Sequence, residues 1–143
     1  MNAGEMTAGA SGTAAGASAG MTAEQLYERI GGSYEEALGR MGSDRLISRF
    51  IVMFTKDESC GDVVSSWNAG DETAAFNAAH TAKGVCGNLS LTKLAELTST
   101  ITEALRPGND KLRATTDVDA LVNELARMHG ETVTAIAEFE QAQ

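Results

Sequence analysis

The chain has little proline, few aromatic residues and a shortage of basic side chains. One Pro stands among 143 residues, and aromatic residues make up 5%. So little proline favours helices over a loop-rich β-sandwich. So few aromatics require a core built from Leu, Ile, Val, Met and Ala. Hydrophobic residues still reach 43%, which suffices for one globular domain and argues against wholesale disorder.

The shortage of basic charge excludes two classes of partner. Lys and Arg total 11 against 20 Asp and Glu, which gives a net charge of −9. Nucleic-acid binding depends largely on Lys and Arg contacts to phosphate, and anionic membranes attract the same side chains, so we expect neither partner. The sequence also lacks an apolar run of the ~18 residues that a membrane span needs, and it shows no secretory leader.

Cysteine is scarce as well. Cys60 and Cys86 have no partners at CxxC or zinc-knuckle spacing. Two such cysteines without a leader predict reduced, buried thiols in a cytoplasmic protein. A zinc site that joins them to His80 and His129 is not expected, because Cys86 falls on the apolar side of its helix, away from His80. We interpret His129 as an ordinary surface or boundary residue, so the sequence shows no metal site.

Residues 1–20 differ in composition from the remainder. They are almost entirely Gly, Ala, Ser and Thr, with no aromatic residue. Such a segment buries too little apolar area to offset the entropy of ordering it, so we predict a flexible tail, either a natural linker or an expression remnant. The domain is predicted to span residues 21–143 and to be a monomer.

Apolar residues beyond the tail recur at spacings of three and four, which predicts helices throughout. We expect the stripe Leu46, Ile47, Phe50, Ile51 and Phe54 to be buried, a bend near Cys60, and Trp67 in the core. Residues 109–116 are predicted to be a polar loop. The fold is therefore all-α, an antiparallel four-helix bundle with a short N-terminal cover helix. The predicted N-caps are Thr22 (a capping box with Gln25), Ser33, Ser43, Asp71, Ser90 and Asp117.

One predicted helix, residues 71–88, has an unusual exposed face. Its small apolar residues Ala75, Ala79, Ala82 and Cys86 share one side, and His80 lies roughly 140° away from the centre of that side. Lys83 and two glycines accompany His80. Each glycine costs about 1 kcal/mol relative to Ala within a helix. The approach of a partner surface would explain them, because glycine lets another chain come close to the backbone.

The chemistry of this face suits an acceptor. An imidazole titrates near ~6.5 in model peptides, so a large neutral, nucleophilic fraction exists at pH 7. Lys83, one turn further on, can meet a negative charge placed on His80. No Ser, Cys or carboxylate is in register with His80 to complete a hydrolytic triad.

The stretch from Ala78 to Leu89, AAHTAKGVCGNL, resembles the signature of histidine-containing phosphotransfer (HPt) domains, His-x-x-Lys-Gly followed by small residues and a Leu. The segment Tyr34–Met41 resembles the opening of that family, and Ala69-Gly70-Asp71 resembles the turn before its phosphorylated helix. The resemblance covers roughly residues 30–138. Ala82 and Ser90 depart from it, since Leu and Gly are frequent there.

The resemblance implies a phosphorelay intermediate. His80 would accept a phosphoryl group from the aspartyl phosphate of a receiver domain, with Nε2 the nitrogen that the family favours, and pass it to another receiver. Lys83 would offset phosphate charge. The receiver would supply Mg²⁺, so the chain would need no cofactor of its own. The expected partners are response-regulator receivers and a hybrid histidine kinase, and the receiver-docking residues would be Phe76, Asn77, Gly84, Gly87 and Asn88.

Two other functions stay open at this point. A helical module could dock receivers without carrying phosphate, although His80 with Lys83 and Gly84 weighs against it. An enzyme could use His80 as a general base, but the sequence shows no second catalytic group. The domain could be free-standing or part of a larger kinase. Because nothing resembles an ATP-binding kinase domain, we expect a phosphocarrier without autokinase activity.

Overall fold

The computed structural model describes residues 20–143, and the regular elements in that range are all helical. The all-α prediction is therefore confirmed. The predicted flexible tail, apart from Gly20, lies outside the described residues. A 3₁₀ turn at Phe54–Lys56 separates the third helix from the fourth. The helices are α1 (Ala23–Ile30), α2 (Tyr34–Met41), α3 (Asp44–Met53), α4 (Ser59–Asn68), α5 (Glu72–Asn88), α6 (Thr92–Leu105), α7 (Asp110–Thr115) and α8 (Val118–Gln141).

The core lies inside a bundle whose helices form a closed ring. Helix α5 packs between α4 and α6, and α8 closes the ring against the other sides of α4 and α6, so α5 and α8 lie diagonally opposite. Short loops join α4 to α5 and α5 to α6, as antiparallel neighbours require. Helix α1 covers α8, and α2 covers α3. The exposed side of α5 is therefore left available beside α2 and α6.

Side-chain caps set most helix starts where the sequence predicts them. Thr22 and Gln25 form the reciprocal capping box, with bonds of 3.0 and 2.9 Å. Each remaining cap accepts a hydrogen bond from the backbone amide three residues ahead, which satisfies a donor that the first helical turn leaves free. These caps are Ser33, Ser43, Asp71 and Asp117.

The connection between α3 and α4 differs from the prediction. The interruption precedes Cys60, because α3 ends at Met53 and the 3₁₀ turn follows at once. Asp57 fixes the start of α4, since its Oδ1 accepts a hydrogen bond from the Ser59 amide at 2.9 Å. Cys60 then lies within the first turn of α4, where it is buried.

The prediction that Ser90 caps α6 is wrong. Its backbone is left-handed, with φ of 57°, and its hydroxyl has no partner among the described residues. Tertiary hydrogen bonds hold this conformation instead. The Ser90 carbonyl accepts from the Ser33 amide at 2.9 Å, and the Leu89 carbonyl accepts from the Tyr27 hydroxyl at 2.8 Å. These two hydrogen bonds attach the loop between α5 and α6 to α1 and to the N-terminal end of α2.

The polar loop predicted for residues 109–116 contains α7. A helix this short gains little from its own hydrogen bonds, so tertiary contacts stabilise it. Arg113 pairs with Glu72 at 3.0 Å, and its guanidinium lies 5.2 Å from the centre of the Trp67 ring. Trp67 is half-exposed at the edge of the core, where its Nε1 donates to Asp119 at 2.6 Å.

The apolar stripe of α3 is only partly buried. Ile47, Ile51 and Phe54 are buried, but Leu46 and Phe50 are exposed. Leu46 and Phe50 lie on the flank of α3 that turns away from its neighbours α1, α2 and α8. The stripe is therefore wider than the surface that those neighbours cover.

Candidate functional site

Helix α5 presents His80 to solvent, as the sequence predicts. Asp71 caps the helix by accepting a hydrogen bond from the Ala74 amide at 3.0 Å. The small residues on the opposite side (Ala75, Ala79, Ala82 and Cys86) are buried against α4 and α6. Because these four fix the rotation of α5, the side chain of His80 is exposed.

The two glycines beyond His80 have open space where a side chain would be. A Cβ built on Gly84 or on Gly87 meets no atom within 4 Å. Both glycines lie inside α5 without the positive φ that would require glycine. Neither packing nor backbone conformation within residues 20–143 therefore explains them. They leave a shallow, low surface next to the imidazole.

An aromatic and cationic stack borders His80 on its N-terminal side. The Phe76 ring lies 6.1 Å from the imidazole, centroid to centroid, with an angle of 19° between the planes. The guanidinium of Arg106, at the end of α6, lies 5.4 Å from the centre of the Phe76 ring. Phe76 is half-buried and packs against the core. The end of α6 thus forms one edge of the site.

Helix α2 forms the other edge. The Arg40 guanidinium donates a hydrogen bond to the carbonyl of Gly87. Lys83 lies between the two edges and is half-buried. Three cationic side chains, Arg40, Lys83 and Arg106, therefore border the exposed face of α5 in a protein whose net charge is −9. The two remaining predicted docking residues, Asn77 and Asn88, are exposed.

Glu103 is an acidic residue at the edge of this surface that Arg106 forms. It holds Arg106 through two hydrogen bonds, of 2.8 and 3.1 Å. The pKa of Glu103 is lowered first by the hydrogen bond from Arg106, and further by the charges of Arg106, Lys83 and His80. The carboxylate therefore feels the electrostatic field of the predicted acceptor as well as that of its ion-pair partner.

His129 and the cysteines lie away from this surface, in or near the core. Cys60 and Cys86 are buried free thiols, as predicted, and a hydrogen bond with Cys60 raises the pKa of Cys86. His129 lies at the core boundary, edge-on to Phe54 at 5.8 Å, and its buried Nε2 has no partner in the described part of the chain. Across residues 20–143, no group of three or more His, Cys, Asp or Glu is arranged to hold a metal ion.

Sequence reasoning missed Glu103 and Arg106 as neighbours of the face that carries His80, and it missed the contact of Arg40 with Gly87. The register of the α5–α6 hairpin could have found the first two. The turn at Ser90 folds α6 back along α5, so residues at similar distances before and after it become neighbours. Phe76 and Arg106 stand in nearly that relation.

Comparison with known proteins identifies the family. The family model for the Hpt domain matches residues 22–131, which covers the cover helices and most of the bundle. The chain therefore belongs to the Hpt domain family, the phosphocarriers of histidine phosphotransfer in two-component signalling, which interact with receiver and kinase proteins. Among curated proteins and among solved structures, none matches the chain. None of the helices in the described range is both long and apolar enough to cross a membrane.

Proposed function

We propose that His80 accepts a phosphoryl group from the aspartyl phosphate of a receiver domain and passes it to a second receiver. The observation that carries this proposal is an exposed imidazole one turn from Lys83, beside two glycines whose missing side chains leave open space. A receiver can approach such a backbone closely, and the open surface costs the free protein helix stability. Membership of the Hpt family supports the same chemistry.

The transfer step needs one nucleophilic nitrogen and a good leaving group. A lone pair of the neutral imidazole attacks phosphorus and forms the N–P bond, while the P–O bond to the aspartyl carboxylate breaks. The carboxylate leaves with the bonding electrons, and the other ring nitrogen of His80 keeps its proton. Transfer to the next receiver reverses these steps on a new carboxylate. Lys83 contributes positive charge near the phosphoryl oxygens.

The Mg²⁺ that assists phosphoryl transfer is assigned to the receiver. This chain supplies the acceptor nitrogen, Lys83 and a docking surface, and its proposed contacts to the receiver are Phe76, Asn77, Gly84, Gly87 and Asn88. The proposed partners are response-regulator receivers and a hybrid histidine kinase, in the cytoplasm, with this chain as a monomer that has no autokinase activity.

The test is intact mass after incubation with Mg²⁺ and a panel of phosphorylated receiver domains. The wild type should gain one acid-labile phosphoryl adduct, and His80→Gln should gain none. His129→Gln is the matched control, because the chain has two histidines and His129 lies at the core boundary. The control should be phosphorylated like the wild type.

Phosphate uptake by His80→Gln would refute the assignment of the acceptor. If the wild type takes up no phosphate from any receiver while it keeps its helical circular dichroism spectrum, the alternative function is favoured. That alternative is a helical module that docks receivers without carrying phosphate.

A further inference from the structure

The Glu103–Arg106 pair lies at the edge of the acceptor surface, and neither residue is assigned a role above. Arg106 reaches His80 indirectly, through the Phe76 ring that stacks on the imidazole. Glu103 orients the guanidinium with its two hydrogen bonds. The pair therefore places one negative and one positive group where a phosphoryl group on His80 would add negative charge.

Another ion pair in the protein shows what is particular about this one. Glu124 and Arg127 on α8 have the same spacing along their helix, and Glu124 likewise accepts two hydrogen bonds from the guanidinium. The hydrogen bond and the charge of Arg127 lower the pKa of Glu124. The pKa of Glu103 is lowered by Lys83 and His80 in addition to Arg106. Glu103 is connected to His80 through Arg106 and the Phe76 ring, whereas the Glu124–Arg127 pair lies on α8, diagonally across the bundle from α5.

We propose that Glu103 destabilises the phosphoryl group on His80 and so favours its onward transfer to a receiver, while Arg106 acts in the opposite direction. The inference rests on the proposed function of His80. Glu103 is a tuning residue that acts through charge: it sets the position of the equilibrium between phosphohistidine and the aspartyl phosphate of the receiver.

The physical reason is the charge that phosphorylation brings. A phosphoryl group carries between one and two negative charges near neutral pH. The carboxylate of Glu103 repels it, offsets the charge of Lys83, and occupies the hydrogen-bond donors of Arg106. Both side chains of the pair are partly exposed, so water and salt weaken these interactions. We therefore expect each charge to change the equilibrium by about three- to fivefold.

The experiment measures the ratio of phosphohistidine to receiver aspartyl phosphate in rapidly quenched mixtures by intact mass. The receiver is one that phosphorylates the wild type, and Mg²⁺ is present. At equilibrium this ratio depends on the free energies of the unbound proteins in their phosphorylated and unphosphorylated forms. A change in docking affinity therefore does not alter the ratio. Glu103→Gln should raise the ratio by about three- to fivefold, and Arg106→Gln should lower it by a similar factor. Both changes should shrink at about 1 M salt.

Glu124→Gln and Arg127→Gln are the matched controls. They alter the net charge by the same amount and break the Glu124–Arg127 pair, and Arg127→Gln also breaks the pair of Arg127 with Glu131. Both residues lie on α8, diagonally across the bundle from α5, so these substitutions should leave the ratio unchanged. The opposite signs expected for Glu103→Gln and Arg106→Gln exclude a merely structural role, since either substitution breaks the same ion pair. Structural damage would change the ratio in one direction for both variants.

The outcomes separate this inference from the proposed function. If the wild type is phosphorylated but Glu103→Gln leaves the ratio unchanged, or shifts it in the same direction as Arg106→Gln, the inference fails alone. A shift of equal size in the α8 controls would also overturn it. If no receiver phosphorylates the wild type, the proposed function fails and this inference fails with it.

Discussion

Replacing Gly84 with Ala should stabilise the free protein, although the residue lies in the proposed docking surface. Gly84 is exposed within α5, and the added methyl group meets no atom within 4 Å. Alanine in a helix interior is more favourable than glycine by about 1 kcal/mol. For a domain of this size, that gain corresponds to a rise in Tm of roughly 3–6 °C.

The same position should respond oppositely when transfer is measured. A larger side chain at Gly84 projects from the face that carries His80, so it would collide with a receiver that packs closely there. Overpacking an interface of this kind costs about 1–3 kcal/mol. We therefore expect Gly84→Leu to slow phosphoryl transfer by about tenfold or more while the helical fold is kept.

Gly130→Ala is the matched control for both measurements. Gly130 is also an exposed glycine inside a helix with open space at its Cβ, but it lies on α8, diagonally across the bundle from α5. Thermal unfolding followed by circular dichroism should show a similar rise in Tm for Gly84→Ala and Gly130→Ala. Transfer from a phosphorylated receiver, timed by intact mass, should be unchanged in Gly130→Ala.

Two results would contradict this reasoning. A fall in the Tm of Gly84→Ala would mean that the glycine has a structural role inside the folded protein. Transfer by Gly84→Leu at the rate of the wild type would mean that receivers dock on another surface.

Two further predictions concern stability. Desolvation lowers the pKa of His129 below its ordinary value, against the opposing charge of Asp57. The unfolded chain therefore takes up a proton at His129 near pH ~6.5, and the folded protein takes it up only at a lower pH. The stability that neutral His129 contributes above that pH is lost as the pH falls. When urea unfolding is measured at about pH 7 and about pH 5.5, His129→Leu should lose less stability than the wild type between the two values. Equal losses of stability would contradict this assignment. Tyr27→Phe removes the buried hydroxyl that donates to the Leu89 carbonyl at 2.8 Å. We expect its free energy of unfolding to fall by about 1–2 kcal/mol in urea unfolding, and an unchanged value would show that this bond contributes nothing.

Structural features that depend on residues close together in the chain could be predicted from the sequence. The caps Thr22, Ser33, Ser43, Asp71 and Asp117 all act where the sequence places them, since each hydrogen bond joins residues three apart in the chain. Such a bond needs no information about the rest of the fold. The small-residue side of α5 is predictable for the same reason, because helical periodicity fixes which residues share a side.

Features that depend on contacts between distant segments could not be predicted in this way. The left-handed backbone of Ser90 is held by a hydrogen bond from Ser33. Helix α7 is stabilised by contacts of Arg113 with Glu72 and Trp67. The exposure of Phe50 follows from where the neighbours of α3 end. In each case the local pattern is compatible with more than one structure, and a partner far away in the chain selects one.

The same distinction between local and long-range features applies to the candidate site. The sequence by itself determined that His80, Lys83, Gly84 and Gly87 share one exposed face, because all four lie on a single helix and its period relates them. Only the tertiary structure brought Arg106 and Glu103 to the N-terminal edge of that face and Arg40 to its other edge. These three side chains come from other helices, and their positions depend on how α2 and α6 pack against α5.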